Sequence, residues 1–286
     1  MIIVRPPPLS VPALTCKIFI DFIPLNRLFK HLIYRKLSIS DKESKLNLSK
    51  TVTILNLPFI NTTNQQFLLT LTQRIQQKQN TFIVTANPEI AVYAYDHPQF
   101  RQLIAAADYI TPDGIGIIKA SQIIKQPLQE RITGFDTLVS LLELANQHQL
   151  KIYLLGAKKA VLQKTVVNIQ KKYPHLEIVG AHDGYFTDEK AISAEIKAAQ
   201  PDIVAVALGY PKQEQFIARN RQLAPAVWIG VGGSFDVLSG SVKRAPQAFQ
   251  KLNLEWLYRF LSHPSRLSRF KNLPRFIYLV KHNHDK

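Results

Sequence analysis

Cysteine is nearly absent from this sequence, in which Cys16 is the single thiol among 286 residues. One thiol cannot form an internal disulfide, and a cluster of thiolates is excluded as a metal-binding set. Such sparse use is typical of a protein in a reducing compartment. The histidines show no HExxH spacing and no close pair typical of zinc, and His282 and His284 lie in a polar terminus. We therefore expect no metal site.

A membrane-spanning apolar run is also missing, because no stretch reaches the roughly 18 residues that a bilayer requires. Residues 13–34 come nearest, but they are interrupted by Lys17, Asp21, Pro24, Arg27 and Lys30. The start does not resemble a signal peptide, since Arg5 precedes three prolines and no small-residue cleavage site follows. Residues 1–50 are either an interfacial amphipathic segment or a poorly ordered N-terminal extension. We expect the extension.

Three nucleotide-binding fingerprints are absent as well. No GxxxxGK[ST] loop occurs, and Gly114 with Gly116 makes only the first half of a GxGxxG pattern. An NAD-linked enzyme is therefore disfavoured. No DxD pair is present to hold a divalent metal on a nucleotide sugar.

Positive charge, in contrast, is abundant and concentrated at the two ends. The formal net charge is +16, and residues 1–50 hold nine Lys/Arg against three Asp/Glu. Residues 243–286 hold ten against two, so the middle is close to neutral. Basic ends indicate an anionic partner such as phospholipid headgroups, a phosphorylated substrate or nucleic acid, or else only a solvated surface. A non-catalytic nucleic-acid-binding protein remains an alternative. Against it, the sequence has no nucleic-acid-binding motif, and its positive charge lies at the two ends rather than in the middle.

The middle of the chain alternates short apolar runs with stretches of helical spacing. This alternation, with short connections, predicts an α/β fold with a Rossmann-like, mainly parallel sheet and helices on both faces. We expect the body over residues 51–242 and a helical, basic and aromatic C-terminal appendage over residues 243–286. The first predicted strand is Thr51 to Leu57, and the appendage is predicted to begin with an amphipathic helix at Leu252 to Leu261.

Two neighbouring strands in sequence end in glycine followed by polar residues. The strand Ile203 to Leu208 is followed by Gly209, and the strand Ala226 to Val231 is followed by Gly232 and Gly233. Ligands of open α/β sheets bind where backbone N–H groups and helix N-termini face outward at the carboxyl ends of strands. These two ends are therefore the candidate binding site. The alternative is a pair of ordinary turns, since glycine is common in any tight turn.

Asp113 is the candidate catalytic acid–base residue, because it directly follows a predicted strand and precedes Gly114. A positioned carboxylate is a sufficient base for a sugar hydroxyl as that hydroxyl attacks. The alternative is that Asp113 caps the helix starting at Gly114. Thr85 and Asn87 follow another strand and are placed to reach the same crevice. Asp183 is a rival base, although Asp-Gly is a common turn.

Seven segments occur in an order that resembles the WecG/TagA/CpsF glycosyltransferases. They are TANPEI (85–90), ADYITPDGIGI (107–117), ERITGFD (130–136), DGYF (183–186), ALGYPKQE (207–214), VGGSFDVLSGSVKRAP (231–246) and LEWLYRFLSHPSRLSRF (254–270). The resemblance covers residues 51 to 276 and leaves residues 1–50 outside it.

The resemblance implies an inverting, metal-independent enzyme without a cofactor. Such enzymes move N-acetylmannosamine from UDP onto the C4 hydroxyl of N-acetylglucosamine on undecaprenyl pyrophosphate. By position, Asp113 would be the general base, with Thr85 and Asn87 on the acceptor side. The residues implied to hold the UDP-sugar are Tyr185, Gln213, Gly233 and Asp236, beside the Gly209 turn. Those implied to meet the pyrophosphates, where fixed cations stabilise leaving-group charge, are Arg259, Arg266 and Arg269.

The family's setting implies a peripheral protein on the cytoplasmic face of the plasma membrane. Its expected partners are the UDP-sugar donor, the polyprenyl-pyrophosphate acceptor and an anionic membrane surface, with no nucleic acid. The donated sugar stays open, because relatives also use UDP-N-acetylmannosaminuronic acid or UDP-glucose. A homo-oligomer is left open too.

Overall fold

The computed structural model describes residues 50–246 and 272–283, together with Phe249 and Tyr258. Within these residues the strands are β1 (Thr51–Ile54), β2 (Leu57–Ile60), β3 (Thr81–Ala86), β4 (Tyr109–Pro112), β5 (Lys151–Gly156), β6 (Glu177–His182), β7 (Ile203–Ala207) and β8 (Val227–Gly230). The helices are α1 (Asn64–Gln76), α2 (Pro88–Asp96), α3 (Pro98–Ala105), α4 (Ile115–Ile123), α5 (Gly134–His148), α6 (Lys159–Lys172), α7 (Glu189–Ala199), α8 (Lys212–Asn220), α9 (Ser234–Leu238) and α10 (Asn272–Asn283). The expectation of an N-terminal extension falls outside this part of the chain.

The strands form one sheet in the order β1-β2-β4-β3-β8-β7-β5-β6. Every neighbouring pair is parallel except β1 and β2. Parallel strands need a crossover between them, and here the crossovers are the helices. The predicted α/β class with a mainly parallel sheet is confirmed.

The prediction of one strand from Thr51 to Leu57 is wrong, because the chain turns back in the middle of this segment. Leu55 and Asn56 both have positive φ, 49° and 63°, and they join β1 to the antiparallel β2. Two successive residues with positive φ form the tight turn whose twist suits a hairpin, and asparagine tolerates this conformation. The uninterrupted apolar run gave no sequence sign of this turn.

Helices cover both faces of the sheet because its strands are buried on both sides. In β7, Val204 and Val206 pack into one core cluster, whereas Ile203, Ala205 and Ala207 pack into the other. The first cluster receives the buried side chains of α2, α3, α4, α7, α8 and α10. The second receives those of α1, α5, α6 and α9. A continuous apolar run in a strand is the sequence sign of this two-sided burial.

A topological switch point lies where the chain leaves neighbouring strands toward opposite faces. After β3 the chain enters α2 on the first face, and after the adjacent β8 it enters α9 on the second face. Such a switch point at the carboxyl edge is where open α/β sheets bind ligands. The topology therefore predicts a ligand site at the residues that follow β3 and β8.

The last described helix, α10, packs its apolar side onto the body. Phe276, Leu279 and Val280 are buried in the first core cluster, and both terminal guanidinium nitrogens of Arg275 bind Asp96 at 2.6 and 2.7 Å. None of the helices in the described part of the chain has the length and apolar character to cross a bilayer. The helix predicted at Leu252 to Leu261 lies outside the described residues, apart from Tyr258.

Candidate active site

Four strand ends lie side by side at the carboxyl edge of the sheet, in the order β4, β3, β8 and β7. Ala86 of β3 is paired with Pro112 of β4, so Asn87 and Asp113 leave the sheet at the same level. Neighbouring strands are about 4.8 Å apart, which puts Asp113 about 10 Å from the end of β8 and about 15 Å from the end of β7. Asp113 and the two glycine turns therefore share one edge of the sheet.

Asp113 is oriented by the start of a helix that is distant in sequence. Its Oδ2 accepts a hydrogen bond of 3.0 Å from the backbone N–H of Gly134, the first residue of α5. The partial positive charge at a helix N-terminus stabilises an anionic carboxylate. The alternative role as a cap of the following helix does not hold, because α4 has no side-chain cap and begins after Gly114.

Asn87 stands next to Asp113 across the two strand ends. Its Oδ1 caps α2 by accepting a 3.0 Å hydrogen bond from the N–H of Ile90. A Cβ built on Gly114 would lie 4.0 Å from the Cβ of Asn87, and Gly114 has a φ of 107° that favours glycine. With Oδ1 engaged in the cap, Nδ2 is the part of Asn87 that can donate to a substrate.

Thr85 lies in β3, just below the strand ends. Its side chain is buried, and its hydroxyl donates to the carbonyl oxygen of Gly230 at 2.9 Å. A Cβ on Gly134 would come within 2.9 Å of the same hydroxyl, so α5 approaches β3 closely at this point. Thr85 thus ties β3 to β8 directly below the strand ends.

We expect Thr85→Val to lower the free energy of unfolding by about 1 to 2 kcal/mol, because the buried Gly230 carbonyl loses its donor while the side-chain shape is kept. Urea denaturation would measure the loss, and Thr85→Ser, which keeps the hydroxyl, is the matched control. Equal losses in both variants would contradict this role for the hydroxyl. A loss of transfer larger than the loss of folded protein would instead indicate direct contact with the acceptor.

The turns after β7 and β8 require glycine for their backbone conformation. Gly209 has a φ of 74° and Gly232 a φ of 50°, and a Cβ at either position would meet no atom within 4 Å. Open space beside both glycines is what a ligand approaching the backbone needs, although positive φ alone also explains them. Gly233 is exposed, and Asp236 is half-buried in the first turn of α9.

Gln213 connects these two turns through its carboxamide. It is buried at the start of α8, and its Oε1 accepts a 3.0 Å hydrogen bond from the N–H of Gly232. Its Nε2 donates to Oε1 of Glu214 at 2.8 Å. Glu214 is fully buried, and this burial raises the pKa of its carboxyl to about 7 against the lowering effect of the hydrogen bond from Gln213.

Tyr185 is the most exposed large hydrophobic side chain of the described residues, at 71%. It lies in the loop after β6, at the far end of the sheet from Asp113. Gly184 brings this loop back over the ends of β5 and β7, because a Cβ on Gly184 would lie 3.3 Å from the Cα of Gly156 and 3.1 Å from the side chain of Leu208. Asp183 accepts from the N–H of Tyr185 at 2.9 Å, which is the geometry of a turn residue.

The chain belongs to the WecG/TagA/CpsF family. The model of the Glycosyl transferase WecG/TagA/CpsF family matches residues 52–285, which include all the strands and helices described above except Thr51, the first residue of β1. The strand ends that carry the candidate residues all fall inside the matched region. This confirms the resemblance that the seven segments predicted, and the chain is accordingly a glycosyltransferase.

Two relatives match over most of their own length. A Bacillus spizizenii protein (strain W23) is 43% identical over 233 residues, which are 81% of this chain and 91% of the relative. A Staphylococcus aureus protein (strain MW2) is 39% identical over 241 residues, which are 83% of this chain and 94% of the relative. Both carry the name N-acetylglucosaminyldiphosphoundecaprenol N-acetyl-beta-D-mannosaminyltransferase.

The structure places eight of the predicted residues along the carboxyl edge of the sheet, with Tyr185 at the far end from Asp113. They are Thr85, Asn87, Asp113, Tyr185, Gly209, Gln213, Gly233 and Asp236. Arg259, Arg266 and Arg269 lie outside the described residues, so their predicted role at the pyrophosphates stays a prediction. Within the described ranges, no three His, Cys, Asp or Glu side chains are grouped in a way that could hold a metal ion.

Three further groups at this edge were not predicted as site residues. Glu214 and the N–H of Gly134 are described above, and Arg244 is the third. Arg244 donates to Asp136 Oδ1 at 2.6 Å and lies over the ring of Phe135 at 4.6 Å, beside the helix start that binds Asp113. The sequence contains a signal that Glu214 is buried, because helical spacing places it on the same face as the apolar Ile217.

Proposed function

We propose that this protein transfers N-acetylmannosamine from a UDP-sugar to the C4 hydroxyl of N-acetylglucosamine on undecaprenyl pyrophosphate. The observation that carries the proposal is the position of Asp113. Its carboxylate is held by the Gly134 N–H at the edge of the sheet where the glycine turns of β7 and β8 also lie. The names of the relatives support the choice of sugar and acceptor.

In this reaction the acceptor oxygen attacks the anomeric carbon of the donor while Asp113 accepts the hydroxyl proton. The bond from the anomeric carbon to the diphosphate oxygen breaks, and its electron pair leaves with UDP. A single displacement of this kind inverts the anomeric configuration. An Asp needs no further activation for this role, provided that it is ionised and within hydrogen-bond reach of the hydroxyl.

The donor is proposed to bind across the ends of β7 and β8. The open turns at Gly209 and Gly232 leave room for its diphosphate beside backbone N–H groups. Tyr185 presents an exposed ring that can pack on the base, and Gly233 with Asp236 lies where the sugar nucleotide would pass. Gln213 contributes by fixing the second turn.

The acceptor is proposed to enter from the membrane, on the side of Asn87 and Asp113. Arg259, Arg266 and Arg269 would offset the charge of the pyrophosphates and of the departing UDP without a metal ion. The basic termini and the exposed Ile277 and Tyr278 of α10 suit a peripheral position on an anionic surface. That surface is proposed to be the inner face of the plasma membrane.

The proposal predicts UDP release that requires both UDP-N-acetylmannosamine and a synthetic polyprenyl-pyrophosphate N-acetylglucosamine. Omitting the lipid acceptor should reduce UDP release to the background rate. Addition of EDTA should leave the rate unchanged, because the arginines replace a metal. Release of UDP at the same rate without acceptor would contradict a transferase.

The same assay identifies the donor. UDP-N-acetylmannosaminuronic acid and UDP-glucose are tested beside UDP-N-acetylmannosamine, and the ratio of their kcat/KM values decides among them. Binding to DNA or RNA that falls steeply with salt, without any UDP release, would instead support the nucleic-acid alternative.

A further inference from the structure

A buried carboxyl group lies behind the candidate donor site with half of its hydrogen-bonding capacity unused. Glu214 has no exposed surface, and its Oε1 accepts from Gln213 Nε2 at 2.8 Å. Its Oε2 has no hydrogen-bond partner within the described part of the chain. Buried polar atoms are nearly always paired, so an exception of this kind calls for a physical reason.

The carboxamide of Gln213 has a direction, and its two neighbours set it. Nε2 can only donate and Oε1 can only accept, so exchanging the two ends would turn Nε2 toward the N–H of Gly232 and lose that hydrogen bond. Glu214 supplies the acceptor for Nε2, and this turns Oε1 toward the N–H of Gly232 at 3.0 Å. The relay from Glu214 through Gln213 to Gly232 is therefore a fixed chain of donors and acceptors.

The geometry points to Glu214 as a positioning residue that fixes Gln213 and through it the turn at Gly232 beside the donor diphosphate. This inference rests on the proposed function, because it takes the turn after β8 as part of the UDP-sugar site. Glu214 does not itself reach the substrate. It acts through the carboxamide of Gln213 and the backbone of the turn.

The neutral form is favoured below about pH 7, because Glu214 is buried and forms no ion pair within the described residues. Burial is the largest cause of its pKa shift to about 7, while the hydrogen bonds from Gln213 and from its own backbone N–H act in the opposite direction. The charged and titratable groups on α8 and on the segments packed around it are Glu89, Arg101, Glu189, Tyr210, Lys212, Arg219 and Arg221. Glu189 is paired with Arg219, and within the described residues the side-chain hydrogen bond of Glu214 is made to Gln213.

Donor binding should consequently be linked to uptake of a proton. Ionisation of Glu214 above pH 7 would place an unpaired charge behind the turn, and an anionic diphosphate at that turn would oppose it further. The diphosphate diester of a UDP-sugar stays ionised throughout this range, so the proton is taken up by the protein. Affinity for the donor should therefore fall as pH rises through about 7, the pKa of the Glu214 carboxyl.

The test is isothermal titration of the full chain with UDP-N-acetylmannosamine between pH 6.5 and 8.5, in buffers of different ionisation enthalpy. For the wild type, we expect the dissociation constant to rise by up to roughly 25-fold over this range, with net proton uptake at the alkaline end. Glu214→Gln keeps the acceptor oxygen and cannot ionise. Its dissociation constant should be flat with pH and should show no proton uptake.

Glu214→Leu removes the acceptor altogether and should weaken donor binding by about 10- to 100-fold. The loss should appear in KM for the donor, with kcat within about threefold of the wild type, because the chemistry at Asp113 is unchanged. In a Gln213→Leu background, Glu214→Leu should add little further loss, since the relay is already broken. Thermal unfolding of each variant measures how much of the protein is folded, so that a loss of folded protein can be separated from a loss of donor binding.

A wild-type dissociation constant that is flat with pH, or one with the same slope in Glu214→Gln, would overturn the inference. So would additive losses in the double variant, or a fall in apparent kcat in proportion to unfolded protein with KM unchanged. These outcomes differ from a failure of the proposed function, in which the wild type would not bind UDP-N-acetylmannosamine at any pH.

Discussion

Replacement of Asp113 by Asn should lower transfer by roughly 10²- to 10⁴-fold, the usual contribution of a positioned general base, while UDP-sugar binding stays within about twofold. The amide oxygen of Asn can still accept the hydrogen bond that Gly134 donates at 3.0 Å to the native carboxylate, so the strand end keeps its shape. What the variant loses is the ability to take the proton of the attacking hydroxyl. Single-turnover transfer and donor binding are measured separately.

Asp183→Asn is the matched control for this result. Asp183 is the other acidic residue considered as a base, but its carboxylate accepts from the N–H of Tyr185 at 2.9 Å within a turn. Asn makes the same turn, so the control variant should retain nearly full transfer. Unchanged turnover in Asp113→Asn, or a comparable loss in Asp183→Asn, would remove Asp113 from the role of base.

Gly156→Ala should destabilise the fold by about 3 kcal/mol or more, because left-handed strain adds to overlap with the backbone. Gly156 ends β5 with a φ of 123°, and an added Cβ would lie 2.4 Å from the carbonyl oxygen of Ala207 in the neighbouring β7. The same carbonyl accepts the N–H of Ala157 at 3.1 Å. The methyl group therefore has to separate two adjacent strands, β5 and β7, beside the proposed donor site. The midpoint of urea denaturation measures the effect.

Gly240→Ala separates the two causes. Gly240 has a φ of 76°, but a Cβ there would meet nothing within 4 Å, so only the conformational strain of about 1 to 2 kcal/mol remains. We expect the Gly156 variant to lose clearly more stability than the Gly240 variant. Equal losses would show that close approach of β5 and β7 is not what requires Gly156.

Local patterns in the chain were sufficient for most elements of the body. The apolar runs that became β3, β5 and β7 are buried on both faces, which is the condition that produces an uninterrupted apolar run. The start of α2 followed from Asn87 and Pro88, since a cap and an N1 proline act over one turn of chain. The hairpin at Leu55 was missed because a run that is apolar on both sides of a turn carries no local punctuation.

The sequence predicts the candidate site residues but not their arrangement. The motifs contain Thr85, Asn87, Asp113 and Gln213. Each of these motifs lies at a strand end, which is recognisable in the sequence as a short polar stretch. Which strand ends are neighbours depends on the sheet order, in which β3 separates β4 from β8. Packing between residues far apart in the chain sets that order, so no local sequence pattern predicts it.

The sequence by itself therefore determined the class of fold, the family and the residues at the strand ends, because these depend on interactions within a few residues. Only the tertiary structure decided that Gly134 holds Asp113 and that Gln213 holds the turn at Gly232. It also decided that Glu214 is buried, which raises the pKa of its carboxyl. Burial and long-range hydrogen bonds are properties of the packed chain, since they arise only when distant segments exclude water together.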